Sequence, residues 1–206
     1  MQLIKTSLAL LSTVTLAVAG PPATPLIDTS GESTTSTDFS AAEVPDGWAA
    51  AKGAWTIDDG ALRGAELAAD QHAAVITLKQ AHVDSAVSFR FQLDGASGFM
   101  LSYNHPKGHL FRVNISEKEV RIQTDKDKKD PTSKAEEIAT VETELKSGKW
   151  YTALCETQGE KVRVQIDNGV ALEATHPALA EPKTGYRFVL KGEALRIDDV
   201  QTWVTQ

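Results

Sequence analysis

Between residues 86 and 115 the chain alternates. Val87, Phe89, Phe91 and Leu93 interleave with Ser88, Arg90, Gln92 and Asp94, and a two-residue period sets one group on a buried face and the other on an open face of a strand. After the turn Asp94-Gly95-Ala96-Ser97-Gly98, a second run puts Phe99, Leu101 and Tyr103 on one side with Ser102 and Asn104 on the other. A third run, after Asn104-His105-Pro106-Lys107-Gly108, alternates Phe111, Val113 and Ile115 with Arg112 and Asn114. If the three runs are neighbours in one antiparallel sheet, Arg90, Gln92, Ser102, Asn104, Arg112 and Asn114 converge on one polar face. Arginine and amide groups offer fixed donors and acceptors of the kind sugar hydroxyls require, so this face is the candidate site.

The rest of the chain repeats the theme. Asp59-Gly60 stands between Trp55 and Ile57 on one side and Leu62 on the other, a hairpin signal because the tight turn needs a positive φ that glycine adopts without steric cost. Further strand signals fall at 73–78, 120–123, 138–141, 150–156, 162–166, 185–190 and 194–200, with Asp167-Asn168-Gly169 as a second tight turn. The stretch 124–131 is too densely charged to bury and reads as a solvated loop, with at most a helical turn around 133–137. Many short strands joined by glycine-containing turns, with almost no helical period, predict an all-β fold: two packed antiparallel sheets in a jelly-roll sandwich.

The amino terminus falls outside that pattern. Lys5, the apolar run 8–18 and the small-x-small sequence Ala17-Val18-Ala19 read as a secretory signal peptide spanning 1–19 rather than a membrane span. No cysteine near Ala19 suggests a lipid anchor. Residues 20–37, rich in Pro, Ser and Thr, read as a flexible linker, which leaves 38–206 as one sandwich domain with a real core. The expected location is therefore periplasmic or secreted, with no membrane insertion after cleavage.

Loss of Lys5 takes the net charge from −7 to −8. That balance disfavours nucleic acid or an anionic membrane as partner and leaves carbohydrate open. The lone Cys155 forms no internal disulfide and reads as a core residue. Trp48, Trp55, Trp150 and Trp203 are of the type that stacks on sugars, yet in a small all-β domain they read first as core.

A family resemblance rests on Asp38-Phe39, Gly47-Trp48, Trp55-x-Ile57-x-Asp59-Gly60-x-Leu62, Ser88-Phe89-Arg90-Phe91, Ser97-Gly98-Phe99, Gly148-Lys149-Trp150-Tyr151, Gly185-Tyr186 and Ile197-Asp198-Asp199-Val200-x-x-Trp203. Taken in order, these motifs resemble the 3-keto-disaccharide hydrolase domain family, whose architecture is similar to concanavalin-type lectins and glucanases. The resemblance implies an exported concanavalin-like sandwich that acts on or binds oxidised or ordinary glycosides; as a hydrolase of 3-keto-glycosides or related disaccharides it is expected to bind substrate through Arg90, Asn104, His109 and Arg112, with an unidentified carboxylate as acid or base. The chain departs from the family pattern at 109–112, at Ser102 and at 189–192.

The residues themselves supply no catalytic acid and base. A glycosidase needs two carboxyl groups across the scissile bond, and no strand here carries the acidic cluster of the glucanases. Asp94, Asp125, Asp167 and Asp198 sit at strand ends or turns, where Asp is ordinarily a turn former. No cofactor is expected. Asp125, Asp127 and Asp130 alternate as in a calcium loop but lack its Gly and terminal Glu, and His105 and His109 make a two-ligand set, one short of a catalytic zinc site. A glycan-binding module or an envelope adhesion domain, each without turnover, stands as the alternative to a hydrolase.

Overall fold

The computed structural model, which describes residues 25–127 and 131–205, converts the alternating sequence into fifteen strands and two short 3-10 turns, Ala68–Asp70 and Pro177–Ala180. In chain order the strands are β1 (Thr35–Thr37), β2 (Trp48–Lys52), β3 (Ala54–Asp58), β4 (Ala61–Ala65), β5 (Ala74–His82), β6 (Asp84–Asp94), β7 (Gly98–His105), β8 (Gly108–Ser116), β9 (Glu119–Thr124), β10 (Glu137–Glu142), β11 (Trp150–Gln158), β12 (Lys161–Ile166), β13 (Val170–Thr175), β14 (Lys183–Leu190) and β15 (Ala194–Thr205). The hairpin read at Asp59-Gly60 joins β3 to β4, and both residues take positive φ, 50° and 68°, as its tight turn demands. No helical turn forms around 133–137; the segment runs irregularly into β10.

The strands make two antiparallel sheets. One is ordered β13-β12-β11-β6-β15-β4-β3, with β1 added alongside β15, and the other β10-β9-β8-β7-β14-β5-β2. The all-β two-sheet jelly-roll sandwich expected from the sequence is the observed architecture. Chain neighbours β6 and β7 nevertheless part company: β6 is central in the eight-stranded sheet and β7 in the seven-stranded one.

The inward rows form a single core. Phe89 and Phe91 from β6 meet Phe99 from β7 and Phe188 from β14, with centroids 5.1–6.5 Å apart in edge, tilted and stacked arrangements. Tyr103 stacks on Phe111 at 4.4 Å. Each such ring, once fully buried, contributes about 1.5–3 kcal/mol by area removed from water, and together they hold the two sheets face to face. Cys155 lies in this core, buried, with its thiol pKa pushed up by desolvation. Trp48 and Trp55 are core residues too.

The signal-peptide reading and residues 20–24 lie outside the described residues. From residue 25 onward the structure corrects the flexible-linker reading. Ile27 is buried, and the carboxylate of Glu156, itself fully buried, accepts the backbone N–H groups of Leu26 and Ile27 at 2.7 and 3.0 Å. Thr35–Thr37 then pairs with β15 as β1. A Ser/Thr-rich composition hid this, because backbone pairing asks nothing of the side chains except that one row face inward.

Candidate ligand cleft

The single polar face expected from residues 86–115 does not form. Arg90 and Gln92 point outward from β6 on the eight-stranded sheet, whereas Ser102, Asn104, Arg112 and Asn114 belong to β7 and β8 in the other sheet. Arg90 is also paired with carboxylates of its own sheet. A one-residue bulge in β15 between Asp198 and Gln201 brings two consecutive carboxylates to it, with its Nη1 3.1 Å from Asp198 Oδ2 and 3.2 Å from Asp199 Oδ2. The Trp150 ring lies 4.8 Å beneath its guanidinium carbon, and Gln92 donates to the Gly148 carbonyl at 2.7 Å. These two residues are structural members of the opposite outer face.

Of the remaining candidates, Ser102, His109 and Arg112 line one cleft. In the seven-stranded sheet Ser102 faces Arg112 across β7–β8 and Arg187 across β7–β14, so the three form one transverse row. His109 reaches this face only because of a bulge: Tyr103 pairs with Phe111 but Asn104 pairs with His109, leaving Leu110 as the extra residue. A strict two-residue period would have turned His109 inward relative to Arg112. Asn104 Oδ1 pairs with His109 Nδ1 at 2.9 Å and accepts from Ser102 Oγ at 3.4 Å. Asn114 donates to Gln123 at 3.4 Å and lines a neighbouring depression, not the main cleft.

Above this row opens a cleft of about 440 Å³. Ser102, Arg112 and Arg187 lie along its base; Met100, Val189 and Ala73 give it an apolar wall; Glu66, Gln71, His72, His109 and Lys191 complete the lining. It shares His109 with one adjacent depression, and Met100, Val189 and Lys191 with another, so the open surface continues along the sheet. Arg187, Met100, Gln71, His72, Glu66 and Lys191 were not singled out from sequence. Arg187 lies between the buried Tyr186 and Phe188 on a strand, a local pattern that Arg163 and Arg196 share.

The charges of the cleft are uneven. Arg112 makes a fork-like ion pair with Asp125, Nε to Oδ2 at 3.1 Å and Nη2 to Oδ1, and its Nη1 lies 3.6 Å from Met100 Sδ. Arg187, half-buried, has no carboxylate and no hydrogen-bond acceptor in reach among the described residues. Desolvation pulls the pKa of both guanidinium groups below the usual arginine value, and at Arg112 the charge of Arg187 acts in the same direction. Asp125 is thus committed to Arg112, and Asp130 of the expected calcium loop lies outside the described residues. Among the described residues no three His, Cys, Asp or Glu side chains gather as a metal site, and no helix is long and apolar enough to cross a membrane.

The chain matches no protein-family model and no curated protein. Solved structures resemble it throughout the sandwich. A carbohydrate-binding module, CBM66 from Bacillus subtilis, superposes with a TM-score of 0.60 at 15% identity over 76% of this chain and 95% of that one. A protein of unknown function with a galectin-like fold from Bacillus subtilis gives 0.63 at 13% identity, over 84% and 96%. Laminarinase from Flavobacterium sp. UMI-01 gives 0.60 at 11% identity, over 84% and 100%. At these identities the likeness establishes the fold, a concanavalin-like sandwich.

Proposed function

We propose that this domain is a glycan-binding module whose saccharide lies in the cleft on the outer face of the seven-stranded sheet. The observation that carries the reading is the row Arg187–Ser102–Arg112 at the base of an open cleft. Hydroxyl-rich ligands need directional donors and acceptors held at fixed spacing, and a rigid strand row provides them. The fold is shared with a carbohydrate-binding module and a laminarinase, which supports a carbohydrate ligand. The leader read at 1–19 fits a ligand met outside the cytoplasm.

Binding is favoured over hydrolysis by the carboxylates. A glycosidase holds two carboxyl groups about 5–9.5 Å apart across the bond to be cut. Here Glu66 lines the cleft with one oxygen accepting the Gly192 N–H at 2.6 Å, and Asp125 is taken up by Arg112. Glu66 and His72 in one cleft favour the second reading, hydrolysis of a 3-keto-glycoside or related disaccharide with Glu66 as the acid. Affinity electrophoresis of the purified protein through glycan-containing gels tests the first reading. Retardation lost in Arg112→Ala and kept in Arg90→Ala is expected; the reverse pattern would move the site to the other sheet. Sugar release from 3-keto-glycosides, abolished in Glu66→Gln, would establish turnover instead.

A further inference from the structure

The domain contains seven arginines, all within the described residues. Six have a carboxylate within 4.0 Å: Arg63, Arg90, Arg112, Arg121, Arg163 and Arg196. Among the described residues Arg187 alone has none, although it is half-buried at the base of the cleft and would profit most from a counter-charge. We infer that Arg187 is an anion-seating residue and that the cleft takes an acidic saccharide, with a uronate carboxylate held on the Arg187 guanidinium beside Arg112. The inference rests on the reading of this cleft as a glycan site and names the class of glycan.

Four features point to this chemistry. A guanidinium withdrawn from water without a partner is costly, and a ligand carboxylate restores the missing charge. The planar fork of arginine matches a carboxylate with two parallel hydrogen bonds. Met100, Val189 and Ala73 border the site, and such apolar walls strengthen the attraction by lowering the local dielectric. Arg112, two strand spacings away at about 10 Å, is offset by Asp125 and Lys191 by Glu66 in the same lining, so the Arg187 guanidinium is left as the net positive charge of the cleft.

What the cleft lacks points the same way. Its lining holds no Trp, Tyr or Phe, so the aromatic platform that usually anchors a neutral sugar ring is missing and charge is left as the main source of affinity. The whole chain carries −7, so an acidic glycan gains no general electrostatic attraction to this protein and depends on a local cation such as Arg187.

The test is a binding panel with the purified protein: oligosaccharides of galacturonate, glucuronate and mannuronate, their methyl esters, sulfated galactan oligosaccharides, neutral counterparts, and acetate as a free anion. Uronates are expected to bind at least about tenfold more tightly than their methyl esters, the scale of one charge-assisted hydrogen bond, and to weaken as salt rises. Arg187→Gln should remove that preference, Arg187→Lys should retain part of it, and Lys161→Gln, an exposed charge on the other sheet, should leave it intact. Neutral glycans bound equally well, with Arg187→Gln silent, would overturn the acidic ligand while leaving the glycan reading standing. Preference for the sulfated oligosaccharides would overturn the carboxylate assignment. Acetate competing as well as the uronates would reduce the site to a small-anion pocket, and no saccharide bound under any condition would overturn both proposals.

Discussion

His82 makes the stability of this sandwich depend on pH. The residue ends β5, is 5% exposed, and stacks on Tyr186 at 4.6 Å with Tyr103 at its edge. Nδ1 donates to the Gln80 carbonyl at 2.9 Å, whereas Nε2 is buried with no partner. A second proton would therefore sit at Nε2 without an acceptor, near the charged Lys183 and only weakly offset by Asp84. Desolvation, opposed by the Gln80 bond, lowers the His82 pKa from 6.5 to about 4. The folded protein thus resists a proton that the unfolded chain accepts. Stability from this residue is complete above pH 6.5, falls as pH drops towards 4, and levels off below it. At about 1.36 kcal/mol per unit, the loss over that window is roughly 3 kcal/mol. Urea unfolding of the protein and of His82→Phe, followed by circular dichroism from pH 7.5 to 4, isolates the contribution. The variant should start less stable, having lost the Gln80 bond, and then show a profile flatter by roughly 3 kcal/mol across the window. Parallel profiles would refute the reasoning and assign acid sensitivity to the carboxylates alone.

Two further substitutions test how the cleft and the amino terminus are held. Asp125→Asn removes the counter-charge of Arg112 and should lower unfolding free energy by about 1–2 kcal/mol, while tightening binding of a uronate because Arg112 is released; unchanged affinity would argue that Arg112 does not face the ligand. Glu156→Ala strands the N–H groups of Leu26 and Ile27 and should cost about 2–3 kcal/mol, with limited proteolysis cutting ahead of Thr35, a site protected in the parent protein.

The alternation of residues 86–115 was enough to tell inward from outward on each strand, because burial follows the two-residue period directly. It could not assign strands to sheets. Val87, Phe89 and Phe91 face the same core as Leu101 and Tyr103, from opposite sides of it, and the period is identical in either case. For that reason the period groups Arg90 and Gln92 with residues that lie across the sandwich from them. His109, expected to bind substrate only through the family resemblance, reaches this face for a reason the period cannot supply, since only the extra residue Leu110 turns it outward. Arg187 was missed because its link to Ser102 is a register between strands 85 positions apart, and nothing local distinguishes it from Arg163 or Arg196 on comparable strands.

That last comparison separates the two outer faces. Both carry arginines at outward positions of central strands, and by composition either could receive a ligand. On the eight-stranded sheet the charges are spent on one another: Arg90 on Asp198 and Asp199, Arg163 on Glu173, Arg196 on Asp58, Arg63 on Asp94. A face so paired gains little from an incoming polar group, which would have to displace a partner already in place. On the seven-stranded sheet Arg187 has no carboxylate partner among the described residues, and it lies at the base of the cleft. A charge half-withdrawn from water, with no partner among the described residues, costs the fold some stability, and a ligand that supplies the missing charge recovers part of that cost as binding energy. The asymmetry in pairing among the described residues, rather than any difference in residue content, is what favours the seven-stranded face over the other as the proposed site.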